Sequence, residues 1–264
     1  MPLQWGVDSY DPINTSYYGT TLANYVINDT YASAHMEFWG RYFSGEGPGD
    51  FTGNGEAVAL LNAITSNGQP QRGWILPLSD DNTGTIATGS VAQGTNAGNA
   101  FCQNTAVWID DCPNMSWPGD GQLYGYLDIE NTYSPYLSPN YWDGWWLALW
   151  NFEVWSGYYP FYPAAYADPW LGGQVCGMIS GQGWNGVGEN RPAYSLWSYE
   201  PQTGPGCVSP GPSWNPSTCQ GILPDAWQYW QGCLGSPGPI DLDCANRAGG
   251  PYGNGLMDYL IYCS

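Results

Sequence analysis

Residues 122–157 read QLYGYLDIENTYSPYLSPNYWDGWWLALWNFEVWSG. The segment 122–130 is apolar and aromatic until its end, where two carboxylates precede a polar turn, and this pattern is typical of a buried strand. From 140 to 157 the aromatic and aliphatic residues recur at helical spacing, over a length that makes a poor strand. The stretch therefore predicts a strand followed by a helix, which is the repeating unit of an α/β fold.

The same alternation continues through the first two thirds of the chain. Further strands are predicted in LQWGVDSY (3–10), HMEFWGRYF (35–43), GWILPLS (73–79) and YYPFYPAAYA (158–167). Helices are predicted in TTLANYVINDTYA (20–32), GEAVALLNAITSNG (55–68) and the small-residue segment from Gly89 to about Asp110. Beyond these, VCGMISGQG (175–183), PAYSLWSYE (192–200) and DAWQYWQG (225–232) are interpreted as strands separated by Gly- and Pro-rich loops.

Strands that alternate with helices favour a parallel sheet with helical crossovers. The length of 264 residues fits one α/β domain over 1–264, a single (β/α)8 TIM-like barrel with degenerate late helices and disulfide-closed loops. An all-β sandwich or propeller is the alternative, favoured by 37 glycines and by the aromatic content. The segments AVALLNAI (57–64) and WWLALWNFEVW (145–155) argue against it because they make poor strands.

The charge balance restricts the partners. Asp and Glu number 23 against 4 Lys and Arg, which gives a formal net charge of -19. Nucleic-acid binding needs a basic surface, so no nucleic-acid partner is expected. A negative charge that shrinks as carboxylates protonate suits a protein that works in acid. No apolar run reaches membrane-spanning length, so no membrane partner is expected, and the oligomeric state stays open.

Cysteine usage points to disulfides. The 8 cysteines include no C-x-x-C pair, and His35 is the only histidine, so neither a metal site nor a cofactor is expected. Cys102–Cys112 and Cys233–Cys244 are the predicted bridges, because each pair closes a short loop. Disulfides persist in oxidising compartments, and the protein is therefore expected to be secreted, with its export signal removed.

Asp128 and Glu130 are the first candidates for catalysis. Alternate residues of a strand face the same side, so these carboxylates lie roughly 6.5 to 7 Å apart along the backbone. At the carboxyl end of a barrel strand, that side is the active-site mouth. An ionised Asp keeps its neighbour protonated, and glycoside hydrolysis needs one such acid beside one charged carboxylate. The alternative is a pair of carboxylates that only caps a strand end or a loop.

Three more carboxylates extend this candidate site. Asp8 ends the first predicted strand, and Asp241 follows the last strand-like run. First and last strands are neighbours in a closed barrel, so both side chains are expected at the same mouth. Glu37, inside the second strand, is a candidate for substrate binding. Their alternative roles are a helix cap for Asp8 and an exposed strand position for Glu37.

The motifs WGVDSY (5–10), YLDIE (126–130), AWQYW (226–230) and PIDLD (239–243) together resemble glycoside hydrolase family 25, the lysozyme-like muramidases. The segments GRYFSG (40–45) and GWILPL (73–78) also resemble a secreted glycoside-hydrolase-like domain of unknown function. The resemblance implies a barrel in which Glu130 is the general acid and Asp128 the assisting carboxylate. It also implies that Asp8 and Asp241 are flanking acids and that stereochemistry is retained.

Aromatic residues supply the predicted sugar contacts. The chain has 16 tryptophans and 21 tyrosines, and flat rings with a polar edge suit the faces and hydroxyl groups of sugars. Trp197, Trp227 and Tyr229, on late predicted strands, are the candidates for sugar platforms. The alternative for each of them is packing inside the barrel or against helices.

Together these features predict a secreted glycosidase. It would cleave a cell-wall or extracellular polysaccharide, most simply one with N-acetylated sugars, and its partner would be that polysaccharide. The competing hypothesis is a non-catalytic carbohydrate-binding or surface-layer protein on the same barrel. An esterase is disfavoured because there is no G-x-S-x-G elbow. A chitinase is disfavoured because Leu123 and Tyr126 occupy acidic positions of the D-x-x-D-x-D-x-E signature.

Overall fold

The computed structural model describes most of the chain. The described residues are 3–28, 36–45, 49–66, 68, 72–79, 83–119, 121–129, 137–156, 160–170, 173–183, 190–201, 206–207, 211, 213–233, 240–246 and 256–264. Two residues discussed above, His35 and Glu130, lie outside this set.

The secondary structure alternates between strands and helices for most of its length. In chain order the elements are β1 (Gln4–Asp8), β2 (Ser16–Tyr17), β3 (Thr20–Thr21), α1 (Leu22–Asn28), β4 (Met36–Tyr42), α2 (Asn54–Ser66), β5 (Gly73–Ser79), α3 (Thr83–Thr88), α4 (Val91–Asp111), β6 (Met115–Ser116), β7 (Leu123–Ile129), α5 (Pro139–Ser156), β8 (Phe161–Ala167), α6 (Gly173–Ile179), β9 (Leu196–Tyr199), β10 (Ala226–Cys233), β11 (Ile240–Ala245), a 3-10 helix (Leu256–Tyr259) and β12 (Ile261–Cys263). Within the described residues, no helix is both long and apolar enough to span a bilayer.

Eight of the described strands close into a barrel, which confirms the predicted fold class. Their order around the barrel is β1, β4, β5, β7, β8, β9, β10 and β11, and β11 returns to pair with β1. The pairs from β1 to β10 are parallel, but β11 is antiparallel to both of its neighbours. Strand β10 ends at Cys233 and β11 begins at Ile240, and so short a connection can return the chain only in the antiparallel direction.

The later connections depart from a regular (β/α)8 repeat. The segment VCGMISGQG, predicted as a strand, instead contributes to helix α6, and that prediction is wrong. Val175, Met178 and Ile179 are fully buried at i, i+3 and i+4 spacing, which is a helical pattern. A short apolar run does not distinguish a strand from a buried helix by itself. The described residues 213–225, between β9 and β10, form a loop with one isolated bridge and no helix. This agrees with the predicted loss of regular helices late in the chain.

The barrel interior is filled mainly by aromatic rings. The residues of this inner cluster share the inward face of the strands or lie in the C-terminal segment; they are Phe38, Tyr42, Leu76, Leu78, Tyr124, Tyr126, Ala164, Tyr166, Trp197, Tyr199, Ala226, Ala245, Leu256, Met257, Tyr259 and Leu260. Rings of this size need small residues opposite them. A Cβ atom on Gly40 would lie 2.8 Å from the Trp197 ring and 2.7 Å from the Asp8 Cβ, so only glycine fits there.

The C-terminal segment closes the barrel at the end where the parallel strands begin. Leu256, Met257 and Tyr259 of the 3-10 helix belong to the inner cluster. The Tyr259 ring stacks on Tyr124, the second residue of β7, with a centroid distance of 4.6 Å. Strand β12 then pairs with the first residues of β5 and with β6. The segment 256–263 is called the plug below.

A fully buried ion pair fixes the loops at the opposite end. Arg41, on the outward face of β4, places its Nε atom 2.7 Å from Glu56 Oε2 of α2, and both side chains are 0% exposed. The Arg41 guanidinium also donates to the backbone oxygens of Ser9 and Asp50, at 2.6 and 3.1 Å. Glu56 accepts from the backbone N–H of Ile13 at 3.0 Å. The pair therefore connects the loops after β1 and β4 to helix α2.

Two disulfides are formed, and neither is a predicted one. The bridges are Cys176–Cys219 and Cys207–Cys233, so the prediction of disulfide-closed loops holds while both predicted pairings are wrong. Cys102 and Cys112 are free thiols. They are ten positions apart along and just after α4, which corresponds to roughly 15 Å of helix and exceeds disulfide reach.

The second predicted pairing fails because of strand register. Cys233 is opposite Ile240, whereas Cys244 is opposite Trp227 at the other end of β10. A bridge needs Cα atoms within about 7 Å of each other, and six strand residues span roughly 20 Å. Cys233 therefore bonds to Cys207, and Cys244 stays a buried free thiol.

We expect Glu56→Ala to lower the free energy of unfolding by about 3 to 5 kcal/mol, because it leaves the Arg41 charge buried without its partner. Asp143→Ala is the matched control. It breaks the Arg191–Asp143 pair, whose side chains are 31% and 27% exposed, and should cost about 1 kcal/mol or less. Urea unfolding followed by tryptophan fluorescence measures both. Equal losses in the two variants would contradict a structural role specific to the buried pair.

Candidate active site

Carboxylates from the first and last barrel strands meet at the mouth. Asp8 ends β1 and Asp241 lies near the start of β11, and the two are direct Cα partners in the antiparallel ladder. Because β11 runs antiparallel, its beginning lies at the carboxyl ends of the parallel strands. The structure thus brings Asp8 and Asp241 together. Asp8 is 5% exposed and Asp241 is half-buried.

Asp243 belongs to the same group, although it was not predicted as a site residue. It follows Asp241 by two positions on β11, so both side chains point to the barrel interior. Asp243 is fully buried, and its Oδ1 accepts a 3.0 Å hydrogen bond from Trp197 Nε1. The Asp8 carboxyl group also hydrogen-bonds to Asp243. Two carboxyl groups can hydrogen-bond directly only by sharing a proton.

Burial controls the acidity of this group. It raises the pKa of Asp243 well above the ordinary value, and the charge of Asp241 adds to the rise while the hydrogen bonds from Asp8 and Trp197 oppose it. Burial also raises the pKa of Asp241 to about 6, against hydrogen bonds from Gly232 N–H and Gln228 that lower it. These bonds are 2.6 Å to Oδ1 and 2.8 Å to Oδ2. The group therefore holds protons in mild acid.

Asp128 contributes a carboxylate from another part of the mouth. It is half-buried near the end of β7, and the Tyr42 hydroxyl donates a 3.3 Å hydrogen bond to its Oδ2. Its strand neighbour Tyr166 donates a 2.7 Å bond to Gln228, which in turn donates to Asp241. A line of polar side chains therefore runs along the inner wall from β8 to β11, beside Asp128. Glu130, the predicted general acid, lies outside the described residues.

Glu37 is not part of this mouth. It is the second residue of β4, so it lies at the end of the barrel opposite the carboxyl ends of the strands. Its Oε2 accepts a 2.9 Å hydrogen bond from Gln4 Nε2 at the start of β1. The predicted substrate-binding role for Glu37 is therefore corrected: the residue links two strand beginnings. The end of the barrel at which Glu37 lies is set by its position along β4, and that position depends on the residue at which β4 begins.

The three predicted sugar platforms are buried. Trp227 and Tyr229 are 3% and 0% exposed and pack in the outer hydrophobic cluster, where Trp227 contacts Trp214 and Tyr229 contacts Trp5. They occupy the outward face of β10, while Gln228 between them faces the barrel interior. Trp197 is 0% exposed inside the barrel, where it holds Asp243. None of these rings has a face open to a sugar, so the platform role is corrected to packing and, for Trp197, positioning.

Other aromatic rings are exposed beside the mouth. Tyr10, two residues beyond β1, is 51% exposed and contacts the Tyr42 ring edge-on at 6.4 Å. Trp170, three residues beyond β8, is 60% exposed. Its backbone N–H donates to Asp168 at 2.6 Å and its Nε1 to Ser217 at 3.2 Å. Both rings lie in loops at the carboxyl ends of strands, where strand periodicity gives no signal.

The described residues offer no metal site. Within the described ranges, no group of His, Cys, Asp and Glu side chains has the arrangement that holds a metal ion.

No protein-family model and no curated protein matches the sequence. Among solved structures, the Mycobacterium tuberculosis Tat-secreted protein Rv2525c, crystallised with L-tartrate, is 11% identical with a TM-score of 0.51, over 93% of this chain and 96% of that one. The Clostridium perfringens spore cortex lytic enzyme SleM is 14% identical with a TM-score of 0.47, over 92% and 67%. The CTP1L endolysin is 14% identical with a TM-score of 0.46, and the match covers 92% of this chain and 66% of the endolysin. The likeness to Rv2525c shows a shared fold; those to SleM and the endolysin are weaker.

The raised pKa values of Asp241 and Asp243 predict a pH-dependent stability. The folded pKa of Asp241, about 6, exceeds its unfolded value, and that of Asp243 is raised as well, so the native state binds more protons. The free energy of unfolding should therefore be largest near pH 4 and fall as the pH rises through 6. Urea unfolding between pH 4 and pH 7 measures this slope.

Asp243→Asn is the variant that tests the cause. Its amide accepts from Trp197 and donates to Asp8 without carrying a charge, so the slope should flatten. The free energy of unfolding at pH 7 should rise by about 1 to 3 kcal/mol. Asp111→Asn, at an exposed position, should keep the original slope. An unchanged slope in Asp243→Asn would show that this carboxyl group is not the source.

Proposed function

We propose that the protein is a glycoside hydrolase that acts on a polysaccharide at the mouth of its barrel. The supporting observation is the convergence of Asp8, Asp241 and the buried Asp243 at the end of the barrel where Asp128 also lies. Hydrolysis of a glycosidic bond needs one carboxyl group that donates a proton and one that stays ionised. A mouth with carboxyl groups of different acidity meets that requirement.

Asp128 fits the ionised role. Its Oδ2 accepts a hydrogen bond from the Tyr42 hydroxyl, and such a bond favours the charged form of a carboxylate. In this mechanism Asp128 stabilises the positive charge that develops on the sugar ring. Glu130, two positions further along the chain, donates the proton to the leaving oxygen, as the resemblance to family 25 implies. The stereochemical outcome in this proposal is retention.

Asp8 and Asp241 act as flanking acids in this proposal. Asp241 has a pKa of about 6, so below that pH it is protonated and adds no negative charge to the mouth. Asp8 shares a proton with Asp243 and is held in place by that bond. The proposal therefore assigns the enzyme to mildly acidic conditions.

The exposed rings at the mouth replace the buried platforms in the substrate model. Tyr10 and Trp170 follow β1 and β8, which lie on different sides of the barrel. A chain of sugars that contacts both rings would cross the carboxylates between them. Stacking on Trp170 is favoured because its indole edge is held by Ser217, which in turn bonds the buried Glu200. A polysaccharide with N-acetylated sugars is the proposed substrate class.

The two disulfides support an extracellular location in this proposal, because such bridges persist in oxidising compartments. A non-catalytic carbohydrate-binding protein on the same barrel is the competing function. It differs from the enzyme in one measurable way, since it would bind a polysaccharide without releasing reducing ends.

Glu130→Gln and Asp128→Asn should each reduce turnover roughly 10²- to 10⁴-fold, because each keeps the side-chain shape and removes the proton donor or the charge. Release of reducing sugar from a panel of polysaccharides, peptidoglycan included, measures this in mild acid. Asp168→Asn is the control, since its amide oxygen still accepts from Trp170 N–H. Substrate binding without turnover in the unmodified protein would favour the competing function.

Trp170→Ala should raise KM about tenfold, equivalent to about 1.4 kcal/mol of lost stacking, with little change in kcat. The ring contacts the sugar equally before and during the reaction, so its loss weakens binding uniformly. Val107→Ala removes another exposed apolar side chain, on the surface of α4, and should change neither constant. A fall in kcat with an unchanged KM would contradict a platform role for Trp170.

A further inference from the structure

The last residues of the chain lie against the end of helix α4. In the antiparallel ladder between β12 and β6, Cys263 is the direct partner of Met115. The next residue, Ser264, donates its backbone N–H to the Asn114 carbonyl at 3.1 Å. The Asn114 side chain donates to the Ser264 carbonyl at 3.1 Å as well. The C-terminus is thus held along the segment that follows α4.

Cys112 lies at the start of that segment. It caps α4 with its N–H donating to the Trp108 carbonyl, and its own carbonyl accepts from Met115 N–H at 2.9 Å. An i to i+3 bond of this kind keeps the Cα atoms of Cys112 and Met115 within about 7 Å. Directly opposite strand residues lie about 5 Å apart. Cys112 and Cys263 therefore both lie close to Met115, although 150 residues of chain separate them.

Both thiols are enclosed by the same hydrophobic layer. Cys112 is 2% exposed and Cys263 is 0% exposed, and both belong to the cluster between the strands and the helices. Burial raises the pKa of the Cys263 thiol, and the neighbouring Cys112 raises it further, which agrees with their closeness. In the structure both are free thiols.

We propose that Cys112 and Cys263 are a third disulfide site, closed when the protein matures in an oxidising compartment. The thiolate of one cysteine attacks the disulfide of a protein dithiol–disulfide donor and forms a mixed disulfide. The second cysteine displaces the donor sulfur, so two electrons pass to the donor, which leaves as a dithiol. The two protons that the cysteines lose are taken up by the two sulfurs of the donor, so the exchange is balanced. The exchange takes place before β12 docks, while both sulfurs are accessible.

The bridge would lock the plug of the barrel. Leu256, Met257 and Tyr259 fill the beginning of the barrel, and β12 follows them directly. The ladders of β12 to β5 and β6 together pair only three residues of this strand, Ile261, Tyr262 and Cys263. A covalent link at Cys263 would anchor so short a strand to α4. The proposal is independent of the glycosidase function.

The remaining free cysteines provide an internal control. Cys102 lies within α4, between β5 and β7, whereas Cys244 lies on β11, between β1 and β10. They are on opposite sides of the barrel and cannot reach each other. They should stay reduced in the same molecule in which Cys112 and Cys263 are linked.

Peptide mapping tests the proposal on full-length protein exported by an expression host into an oxidising compartment. The protein is alkylated with iodoacetamide in denaturant without reductant and digested with pepsin, since Lys and Arg number only 4. A sample is accepted for the test only when its peptides show the Cys176–Cys219 and Cys207–Cys233 bridges, because these show that the protein was oxidised during export. We expect a linked Cys112–Cys263 peptide, with Cys102 and Cys244 alkylated. Alkylation of Cys112 and Cys263, or any other partner for them, would overturn the proposal.

Matched variants separate the bridge from a merely structural role of the cysteines. In Cys263→Ser, Cys112 should become alkylated, and in Cys112→Ser, Cys263 should. Cys102→Ser should leave the linked peptide unchanged. Carboxypeptidase should remove C-terminal residues faster from Cys112→Ser than from Cys102→Ser. Equal rates in these two variants, with both folded by circular dichroism, would show that no link anchors the plug.

Discussion

The antiparallel strand β11 is the constraint on which the mouth depends. It is inserted between β1 and β10, and without it the barrel would remain open between the first strand and the last parallel one. Because it runs in the opposite direction, its first residues, not its last, lie at the mouth. Asp241 and Asp243 thus reach the end of the barrel where Asp8 terminates β1. The pairing of β11 with β1 therefore both closes the barrel and brings the carboxyl groups together.

The fold was predictable because the alternation of strands and helices leaves a local pattern of apolar residues in the sequence. The helices α2, α4 and α5 are long, and their apolar spacing is visible in the sequence, while the polar residues that follow the apolar run of β7 mark its end there. Helix α6 was missed because seven residues carry too little periodicity to distinguish it from a strand. The disulfides were missed because sequence distance does not measure distance in space. Cys207 and Cys233 meet only through the packing of loops onto β10.

Part of the site was predictable for the same reason. A carboxylate that ends an apolar strand is conspicuous, which identified Asp8 and Asp128, whereas Asp241 was identified by its position after the last predicted strand. Asp243 carries the same signal, but its role depends on β11 facing inward at that position, which only the pairing with Gly6 reveals. The aromatic platforms could not be assigned from composition. In β10, successive side chains alternate between the two faces of the sheet. Gln228 faces the barrel interior, so Trp227 and Tyr229 on either side of it face outward.

The hydrogen bonds described for the mouth carboxylates come from neutral groups. Asp128 receives a bond from a phenol, Asp243 from an indole, and Asp241 from an amide and a backbone N–H. Meanwhile Arg41 is paired with Glu56, and Arg191 with Asp143. A guanidinium would lower the pKa of a nearby carboxyl strongly, whereas neutral donors only partly offset burial. Asp241 and Asp243 therefore keep their protons in mild acid.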